Sequence, residues 1–178
     1  IEISLFIGNR DTILSRLNQN QDDLYILGRP PDNLKVDAIA FAPNPIIAVA
    51  YPDHPLRNKK KIPAETIGKE TFILRELGSG IRASTLDYFR QRNATVNMRM
   101  QLDTGEAIKQ TIMARLGISF MAESSVQAEL DSGELIKLDV EDLPIQRQWY
   151  VVHHHKVISP IAQSFKDYLI DEFKKKKM

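Results

Sequence analysis

The chain has 178 residues, of which 43% are hydrophobic and 26% charged, a composition typical of one globular domain or two small lobes. Its 24 lysines and arginines nearly balance its 23 acidic residues, which gives a net charge of +1. This balance argues against a domain whose main role is to bind nucleic acid, because such domains usually carry a strong excess of basic residues. The absence of cysteine excludes disulfides, a zinc ribbon and a thiol nucleophile, and no apolar run approaches the roughly 18 residues that span a membrane.

The sequence of the N-terminal part of the chain predicts one helix, with a strand before it and two strands after it. Residues 1–5 alternate apolar and polar side chains, which is the period of a strand. Asn9 or Asp11 is placed to cap the helix that follows. The apolar face of that helix contains Ile13, Leu14 and Leu17. Two further strands are predicted at 24–28 and 36–41.

The rest of the chain continues to alternate strands with helices. An unbroken apolar run at 46–51, bounded by Pro45 and Pro52, predicts a central strand buried on both faces. The other predicted strands lie at 71–75, 96–102, 118–121, 135–138 and 148–152. The other predicted helices lie at 81–93 with Leu86 and Phe89 inward, at 105–116 ending at a left-handed Gly117, at 124–130 ending near Gly133, and at 159–173. This order predicts an α/β fold in which helices cover parallel or mixed sheets, and we expect mixed sheets.

The segment Gly78-Ser79-Gly80 precedes a predicted helix and is a candidate anion-binding turn. Glycine lets the backbone turn tightly, and the free N–H groups at a helix N-terminus attract anions through hydrogen bonds and the helix dipole. Ser79 adds a hydroxyl donor, and Arg82 or Arg75 adds positive charge. The alternative is a plain strand-to-helix turn in which Ser79 caps the helix.

A second candidate turn precedes the first predicted helix. Asn9 and Thr12 supply polar groups there, although helix capping accounts for both equally well. Arg10, between them, either lies in solvent or faces a ligand, where it would suit a phosphate or a carboxylate.

The remaining candidates lie at strand ends and at another helix start. Thr104 and Gly105 begin the helix predicted at 105–116, and Glu106 either completes its cap or contacts the ligand. Arg29 follows a buried strand and either reaches the ligand or lies in solvent. Glu76, beside the glycine-containing turn, completes the set of candidate ligand-binding residues.

The histidines do not form a convincing metal site. His153, His154 and His155 are consecutive, and neighbouring residues of an extended chain point to opposite faces, so their side chains do not converge on one ion. His54 lies in a His-Pro-Leu turn and is interpreted as structural. No nucleophile with a nearby base and no pair of carboxylates stands out, so the sequence predicts no metal, no cofactor and no catalytic residue.

Several stretches in a fixed order carry a resemblance to a known family. They are Gly28-Arg29-Pro30-Pro31, His54-Pro55-Leu56, the run from Arg75 through Gly78-Ser79-Gly80 to Arg82, Gly105-Glu106-Ala107-Ile108-Lys109 leading to Leu116-Gly117-Ile118, and the ending Trp149-Tyr150-Val151-Val152 with Ser159-Pro160. This set, which covers essentially the whole chain, resembles the effector-binding domain of LysR-type transcriptional regulators. The stretches at 28–31 and 76–82 resemble most closely the carbon-fixation regulators, which control Rubisco and inorganic-carbon uptake genes.

The resemblance implies the two-lobed type 2 fold of periplasmic binding proteins, in which two crossing strands join the lobes and the ligand lies between them. It places lobe one at 1–48 and 151–178 and lobe two at 49–150. In this interpretation the first strand of lobe one and the DNA-binding winged helix-turn-helix are absent from the chain. Arg115 departs from the family pattern, which usually has a small residue there.

The implied function is that of a ligand-sensing regulatory domain. A small anionic carbon metabolite, such as a sugar bisphosphate, 2-phosphoglycolate, 2-oxoglutarate or NADPH, would bind in the interlobe cleft and control transcription allosterically. Two alternatives stay open: a solute-binding protein of a transport system, and an enzyme on the same fold.

The resemblance also implies partners and a location. The chain would form a homodimer or homotetramer with the helix at 12–18 among its contacts, and it would reach DNA only through the absent N-terminal domain. It would have no membrane partner and would act in the cytoplasm or the plastid stroma.

Overall fold

The computed structural model describes residues 3–155 and 158–175 of the chain. Strands and helices alternate along the sequence and divide into two compact units. Unit 1 contains Ile1–Pro43 and Arg147–Met178, and unit 2 contains Asn44–Gln146. The chain therefore leaves unit 1 once and returns to it once, a few residues before each of the divisions predicted at 48/49 and 150/151.

The described elements belong to the predicted α/β class. Those of unit 1 are α1 (Arg10–Asn18), β1 (Tyr25–Leu27), β2 (Val36–Pro43), β8 (Gln148–His154) and α6 (Pro160–Lys175). Those of unit 2 are β3 (Ile46–Ala50), α2 (Ala64–Ile67), β4 (Phe72–Arg75), α3 (Gly80–Gln91), β5 (Met98–Leu102), α4 (Gly105–Met113), β6 (Ser119–Ala122), a 3₁₀ turn (Glu123–Ser125), α5 (Gln127–Ser132) and β7 (Ile136–Leu138). None of the helices in the described part of the chain has the length and apolar character needed to cross a membrane.

Unit 1 is built on an antiparallel sheet with the strand order β1-β8-β2. β8 is the central strand, because Ile26 of β1 and Ile39 of β2 both pair with Val151. α1 packs against this sheet with the apolar face that the sequence predicted. Leu17 of this face is buried together with Tyr25, Leu27 and Val152 of the sheet, and Ile13 and Leu14 are half-buried beside them.

Unit 2 contains an antiparallel sheet of order β6-β3-β7 and a parallel pair, β4 and β5, so the mixed-sheet prediction is confirmed. All five residues of β3 are completely buried, which confirms the prediction of a strand covered on both faces. A parallel bridge between Phe72 and Ile118 connects β4 to the residue that precedes β6. Four rings pack together on one side of β3 and form what we call the aromatic cluster: Phe72, Tyr88, Phe89 and Phe120.

The strand predicted at 1–5 is wrong for its described part. Residues 3–9 have no regular secondary structure, and the side chains of Ile3, Leu5 and Ile7 are about 80% exposed. An alternating pattern becomes a strand only when a neighbouring strand pairs with it, and the described sheet of unit 1 ends at β1 and β2. Residues 1 and 2 lie outside the described part of the chain.

The predicted end of the helix at 105–116 is also wrong. α4 ends at Met113, and the left-handed residue is Arg115, with φ of 64°, rather than Gly117. Gly117 is needed for close packing instead, because a Cβ atom there would lie 2.5 Å from the carbonyl oxygen of Thr71. The end predicted near Gly133 is confirmed: α5 stops at Ser132, and Gly133 has φ of 78°.

The buried face of α3 differs by one position from the prediction. Phe89 is buried as expected, but Leu86 is 37% exposed. Thr85 and Tyr88 face the core in its place. Thr85 is tolerated there because its hydroxyl group donates a hydrogen bond to the carbonyl oxygen of Ile81 at 2.9 Å, which satisfies the buried polar atom.

His54 is a buried residue of unit 2, with 3% of its surface exposed. Its Nδ1 atom accepts a hydrogen bond from the Leu56 N–H group at 3.2 Å, and its ring packs edge-on against Tyr51. Nε2 lies 3.6 Å from the carboxylate of Glu70. Burial lowers the pKa of His54 below its usual 6.5, and the nearby Glu70 offsets part of that effect. These interactions support the interpretation of His54 as a structural residue.

We expect unit 2 to lose stability on mild acidification because of His54. The unfolded chain binds a proton as the pH falls below 6.5, whereas the folded chain resists protonation until its lower pKa is reached, so the free energy of unfolding falls over that interval. The measurement is the urea midpoint at about pH 7.5 and about pH 5.5 for the native chain and for His54→Asn. Asparagine keeps an acceptor for Leu56 N–H but does not titrate, so an equal pH dependence in both proteins would contradict this expectation.

Candidate functional site

The turn before α3 has the geometry that its glycines suggested. Gly78 has φ of 84°, a left-handed conformation that favours glycine. Ser79, which is 6% exposed, is the N-cap of α3, and its Oγ atom accepts a hydrogen bond from the Arg82 N–H group at 3.4 Å. The capping alternative for Ser79 is therefore confirmed. The Ser79 hydroxyl hydrogen and the first N–H groups of α3 are the donors that this turn offers to an anion.

The arginines beside this turn already have protein partners. Arg75 forms a bidentate ion pair with Glu76, in which Nε donates to Oε2 at 2.7 Å and Nη2 donates to Oε1 at 3.0 Å. Arg82 donates from Nη1 to the carbonyl oxygen of Arg75 at 2.8 Å and to the Gln101 side chain at 3.1 Å. Glu76 thus balances one of the two charges expected to attract an anion, and the Arg82 guanidinium group is held against β4 and β5.

The turns after β4 and β5 lie at the same edge of the parallel pair. Arg75 and Leu102 are register partners at the ends of the two strands, and the Glu76 N–H group donates to the Leu102 carbonyl oxygen at 3.1 Å. The structure therefore brings the segments 76–82 and 104–106 to one side of unit 2. The carboxyl ends of parallel strands are the usual position of ligand sites in α/β sheets.

The polar side chains at the start of α4 form hydrogen bonds to other groups of the same helix. Thr104 is the N-cap, and its Oγ1 atom accepts from the Ala107 N–H group at 3.1 Å, while Gly105 opens the first turn. Glu106 accepts hydrogen bonds from Lys109 at 2.8 Å and Gln110 at 3.0 Å, which lower the pKa of its carboxyl group. Glu106 is therefore engaged along the helix surface rather than in the cap.

The turn before α1 is a helix cap in the structure. Asn9 is the N-cap, and its side-chain oxygen accepts from both the N–H and the hydroxyl group of Thr12, each at 3.0 Å. Capping thus accounts for both residues, and Asp11 is not the cap. The prediction that Asn9 or Asp11 begins this helix is confirmed for Asn9.

Arg10 and Arg29 come together in unit 1. Arg10 donates from Nη1 to the carbonyl oxygen of Arg29, and from Nη2 to that of Pro30 at 3.5 Å. The Arg29 guanidinium group is exposed and forms an ion pair with Asp32 at 2.8 Å. Arg10 therefore ties the first turn of α1 to the loop after β1, through acceptors that carry no formal charge.

A third arginine, Arg147, was missed by sequence reasoning. It is half-buried immediately before β8. Burial lowers its pKa first, and the charges of Arg10 and Arg29 lower it further. The pKa of Arg10 is likewise lowered by burial and then by Arg29, with Asp11 and Asp32 acting in the opposite direction. We call Arg10, Arg29 and Arg147 the arginine cluster of unit 1.

The consecutive histidines have separate roles in unit 1. His153 is buried and receives a hydrogen bond from the buried Lys166 ammonium group, with Nζ and Nε2 3.2 Å apart. His154 contacts the Leu17 carbonyl oxygen, and His155 contacts the Asp37 carboxylate at 2.8 Å. Within residues 3–155 and 158–175, no group of three or more histidine and carboxylate side chains is placed to hold a metal ion.

A family model described as the LysR substrate binding domain matches residues 1–174. A RuBisCO operon transcriptional regulator of Acidithiobacillus ferrooxidans is 46% identical over 93% of the chain and 54% of its own length. The HTH-type transcriptional activator CmpR of a Synechocystis strain is 44% identical over 95% of the chain and 56% of its own length. The chain therefore spans about half the length of these relatives, both of which are regulators.

Solved structures show the same fold. The regulatory domain of CcmR from Synechocystis PCC6803, in complex with 2-PG, superposes with a TM-score of 0.93 at 38% identity, over 97% of this chain and 84% of that one. The effector-binding domain of QuiR, in complex with shikimate, has a TM-score of 0.83 at 21% identity, over 97% of this chain and 81% of that one, and supports the fold alone. These matches confirm the predicted type 2 periplasmic-binding-protein-like fold.

Proposed function

The chain belongs to the LysR substrate-binding domain family, and from that membership we propose that it senses a small anionic metabolite for a regulator of carbon-fixation genes. The effector acts as a ligand and leaves unchanged. Since the chain matches about half of each relative, the transcriptional activity of the whole protein is part of this proposal.

The observation that carries the proposal is the similarity to the CcmR regulatory domain. That domain is 38% identical to this chain, and its structure was solved in complex with 2-PG. A shared backbone at this level of identity supports a shared class of ligand, while the exact ligand depends on the side chains. We therefore propose 2-phosphoglycolate as the first effector to examine, ahead of sugar bisphosphates, 2-oxoglutarate and NADPH.

Each unit, considered alone, offers polar groups that suit an anion. In unit 2 these are the Ser79 hydroxyl group and the N–H groups at the start of α3, beside the start of α4. In unit 1 they are the guanidinium groups of Arg10 and Arg29, with Asn9 and Thr12 in the adjacent cap. The candidates of unit 2 that we retain for ligand binding are Glu76, Gly78, Ser79, Gly80, Arg82, Thr104, Gly105 and Glu106.

Regulation would follow from unequal affinity for two conformations. A ligand that binds one conformation more tightly shifts the population toward it, and the shift is limited by that difference in affinity. We propose that the regulator is a homodimer or homotetramer in the cytoplasm or plastid stroma. We also propose that DNA is bound by the part of the whole protein that this chain does not cover. The apolar face of α1 packs within unit 1, so only its polar face is available to a second copy.

Thermal unfolding of the chain against a panel of anions tests the proposal. We expect one phosphorylated or carboxylated metabolite to raise the unfolding midpoint, because a ligand at about 100 times its Kd adds roughly 2.7 kcal/mol to the free energy of unfolding. Neutral analogues of equal size serve as controls, and sedimentation of the same samples gives the oligomeric state. Recovery of the stabilising metabolite unchanged is expected; its consumption would favour an enzyme, and no stabilisation by any anion would contradict the proposed ligand class.

A further inference from the structure

We propose that residues 57–61, which we call the basic loop, contact the phosphate backbone of duplex DNA when the whole regulator is bound to its promoter. Unlike effector sensing, this contact involves the surface of unit 2 alone. It rests on the proposed function, because DNA binding by the whole protein brings the loop near a duplex.

The basic loop concentrates positive charge on the surface of unit 2. All five of its residues are exposed, and no acidic residue occurs in the sequence between Asp53 and Glu65. The local charge is therefore strongly positive, although the whole chain has a net charge of only +1. The four cations of the loop are Arg57, Lys59, Lys60 and Lys61.

Carboxylates of the protein offset little of this charge. Lys60 pairs with Asp139 at 3.7 Å, and the lysine side chain is 81% exposed. An exposed ion pair of this kind contributes little free energy and is easily exchanged for another partner. Within the described part of the chain, Arg57, Lys59 and Lys61 form no ion pair. The charge of the loop is therefore available to an external anion.

The backbone of the basic loop is held in place at both ends. Leu56, just before it, is 5% exposed, and Ile62, just after it, is 1% exposed. The Lys59 N–H group donates to the Leu56 carbonyl oxygen at 3.0 Å, and the Ile62 N–H group donates to the Asp139 carbonyl oxygen at 2.8 Å. Lys61 has φ of 47°, a conformation that is uncommon for residues other than glycine. The cations thus extend from a fixed backbone, which binding does not have to order first.

The predominance of lysine in the basic loop favours a nucleic-acid backbone over an acidic protein surface. An ammonium group is a compact charge on a flexible stem and accepts a phosphate in many positions, whereas a guanidinium group suits one fixed carboxylate through paired hydrogen bonds. Lysine contacts with phosphates release counterions and read no base sequence. The loop is therefore suited to hold or guide a duplex whose sequence is recognised elsewhere.

The near-neutral charge of the chain indicates that this contact is weak by itself. In the whole regulator, the proposed DNA-binding part is covalently joined to this chain, so the basic loop meets the duplex at a high effective concentration. A contact too weak to hold free DNA then still adds to the affinity of the whole protein for its site.

The test is fluorescence anisotropy of a labelled duplex of about 20 base pairs and arbitrary sequence, titrated with the chain in about 50 mM salt. The loop variant combines Lys59→Gln, Lys60→Gln and Lys61→Asn, since asparagine tolerates the left-handed conformation. We expect it to bind the duplex at least about 10-fold more weakly than the native chain. The slope of log K against log salt should fall by about 0.9 for each lost phosphate contact, hence by about 2 to 3.

The matched control removes three positive charges from exposed lysines of unit 1 by combining Lys35→Gln, Lys174→Gln and Lys175→Gln. It should bind the duplex like the native chain. Far-UV circular dichroism and the thermal midpoint should be the same in all three proteins, because every substituted side chain is exposed. A glutamate-rich peptide of the same charge as the duplex, used as a competitor, represents an acidic protein partner.

Weaker duplex binding by the loop variant alone would support the assignment. Equal affinity of the loop variant and the native chain, or equal losses in the loop and control variants, would overturn it in favour of a general attraction between charges. Tighter binding of the glutamate-rich peptide than of the duplex, or no duplex binding by the native chain, would overturn it as well. Because these titrations contain no metabolite, their outcome is independent of whether the chain senses the proposed effector.

Discussion

Replacing Phe120 with alanine is expected to lower the free energy of unfolding of unit 2 by about 3–5 kcal/mol, the largest effect that we predict for a single side chain. Phe120 is 1% exposed and lies at the centre of the aromatic cluster. Its ring centroid lies 5.3 Å from that of Tyr88, 5.5 Å from that of Phe72 and 5.7 Å from that of Phe89. Alanine would remove these contacts and leave a cavity that three aromatic rings cannot easily fill.

Urea unfolding followed by far-UV circular dichroism measures this loss, and hydrogen exchange of the β3 amide groups localises it to unit 2. Phe120→Leu should fall between the native chain and Phe120→Ala, because leucine fills most of the space without the ring contacts. Leu116→Ala is the control, since Leu116 is an apolar residue of the same unit that is 55% exposed. Equal losses in Phe120→Ala and Leu116→Ala would show that the cluster does not stabilise unit 2 as we infer.

Gly68→Ala is expected to cost roughly 3 kcal/mol, at the upper end of the range for an overpacked position. A Cβ atom at Gly68 would lie 2.1 Å from the Thr95 carbonyl oxygen and 3.1 Å from the Phe89 ring. The Thr95 segment cannot easily move away, because Asn97 donates to the Gly68 carbonyl oxygen at 2.8 Å and accepts from Phe72 N–H at 2.9 Å. The added methyl group would therefore displace the backbone around Thr95. This backbone leads into β5 and is hydrogen-bonded, through Asn97, to the residue that follows α2.

Gly105→Ala serves as the matched substitution. Gly105 is the first residue of α4, and a Cβ atom there would approach nothing more closely than the Met121 side chain at 3.9 Å. Alanine should leave stability unchanged or raise it slightly, because it loses less backbone entropy than glycine in a helix. Urea midpoints of the two variants decide the matter, and a Gly68→Ala protein as stable as Gly105→Ala would mean that the Thr95 carbonyl group yields without cost.

Local patterns predicted the fold where one physical cause dominates. The run at 46–51 has no polar alternation because β3 is covered on both faces, so the sequence alone identifies a central strand. Residues 1–5 alternate apolar and polar side chains, yet the described residues 3–5 form no strand, because pairing depends on a neighbouring strand and not on their own pattern. Gly117 was misinterpreted for a similar reason: glycine serves left-handed turns and close packing alike, and the sequence does not distinguish them.

The candidate site was predictable in part. Asn9 and Ser79 were each assigned two uses, because a cap and an anion both use the first N–H groups of a helix; the structure confirms the cap for both, and their contact with a ligand stays a prediction. Arg147 was missed because its neighbours, Arg10 and Arg29, are more than a hundred residues away in sequence. Only the order and register of β1 and β8 bring these residues together, and neither follows from composition or periodicity.

The central position of β8 sets an order of events during synthesis. Unit 2 is one continuous segment, Asn44–Gln146, so all its strands have been made before β8 is translated. β1 and β2 pair with β8 and not with each other, so unit 1 has no sheet until the chain has been extended to His154. A chain released after Gln146 would therefore contain every strand of unit 2, together with an N-terminal segment whose strands lack their shared partner.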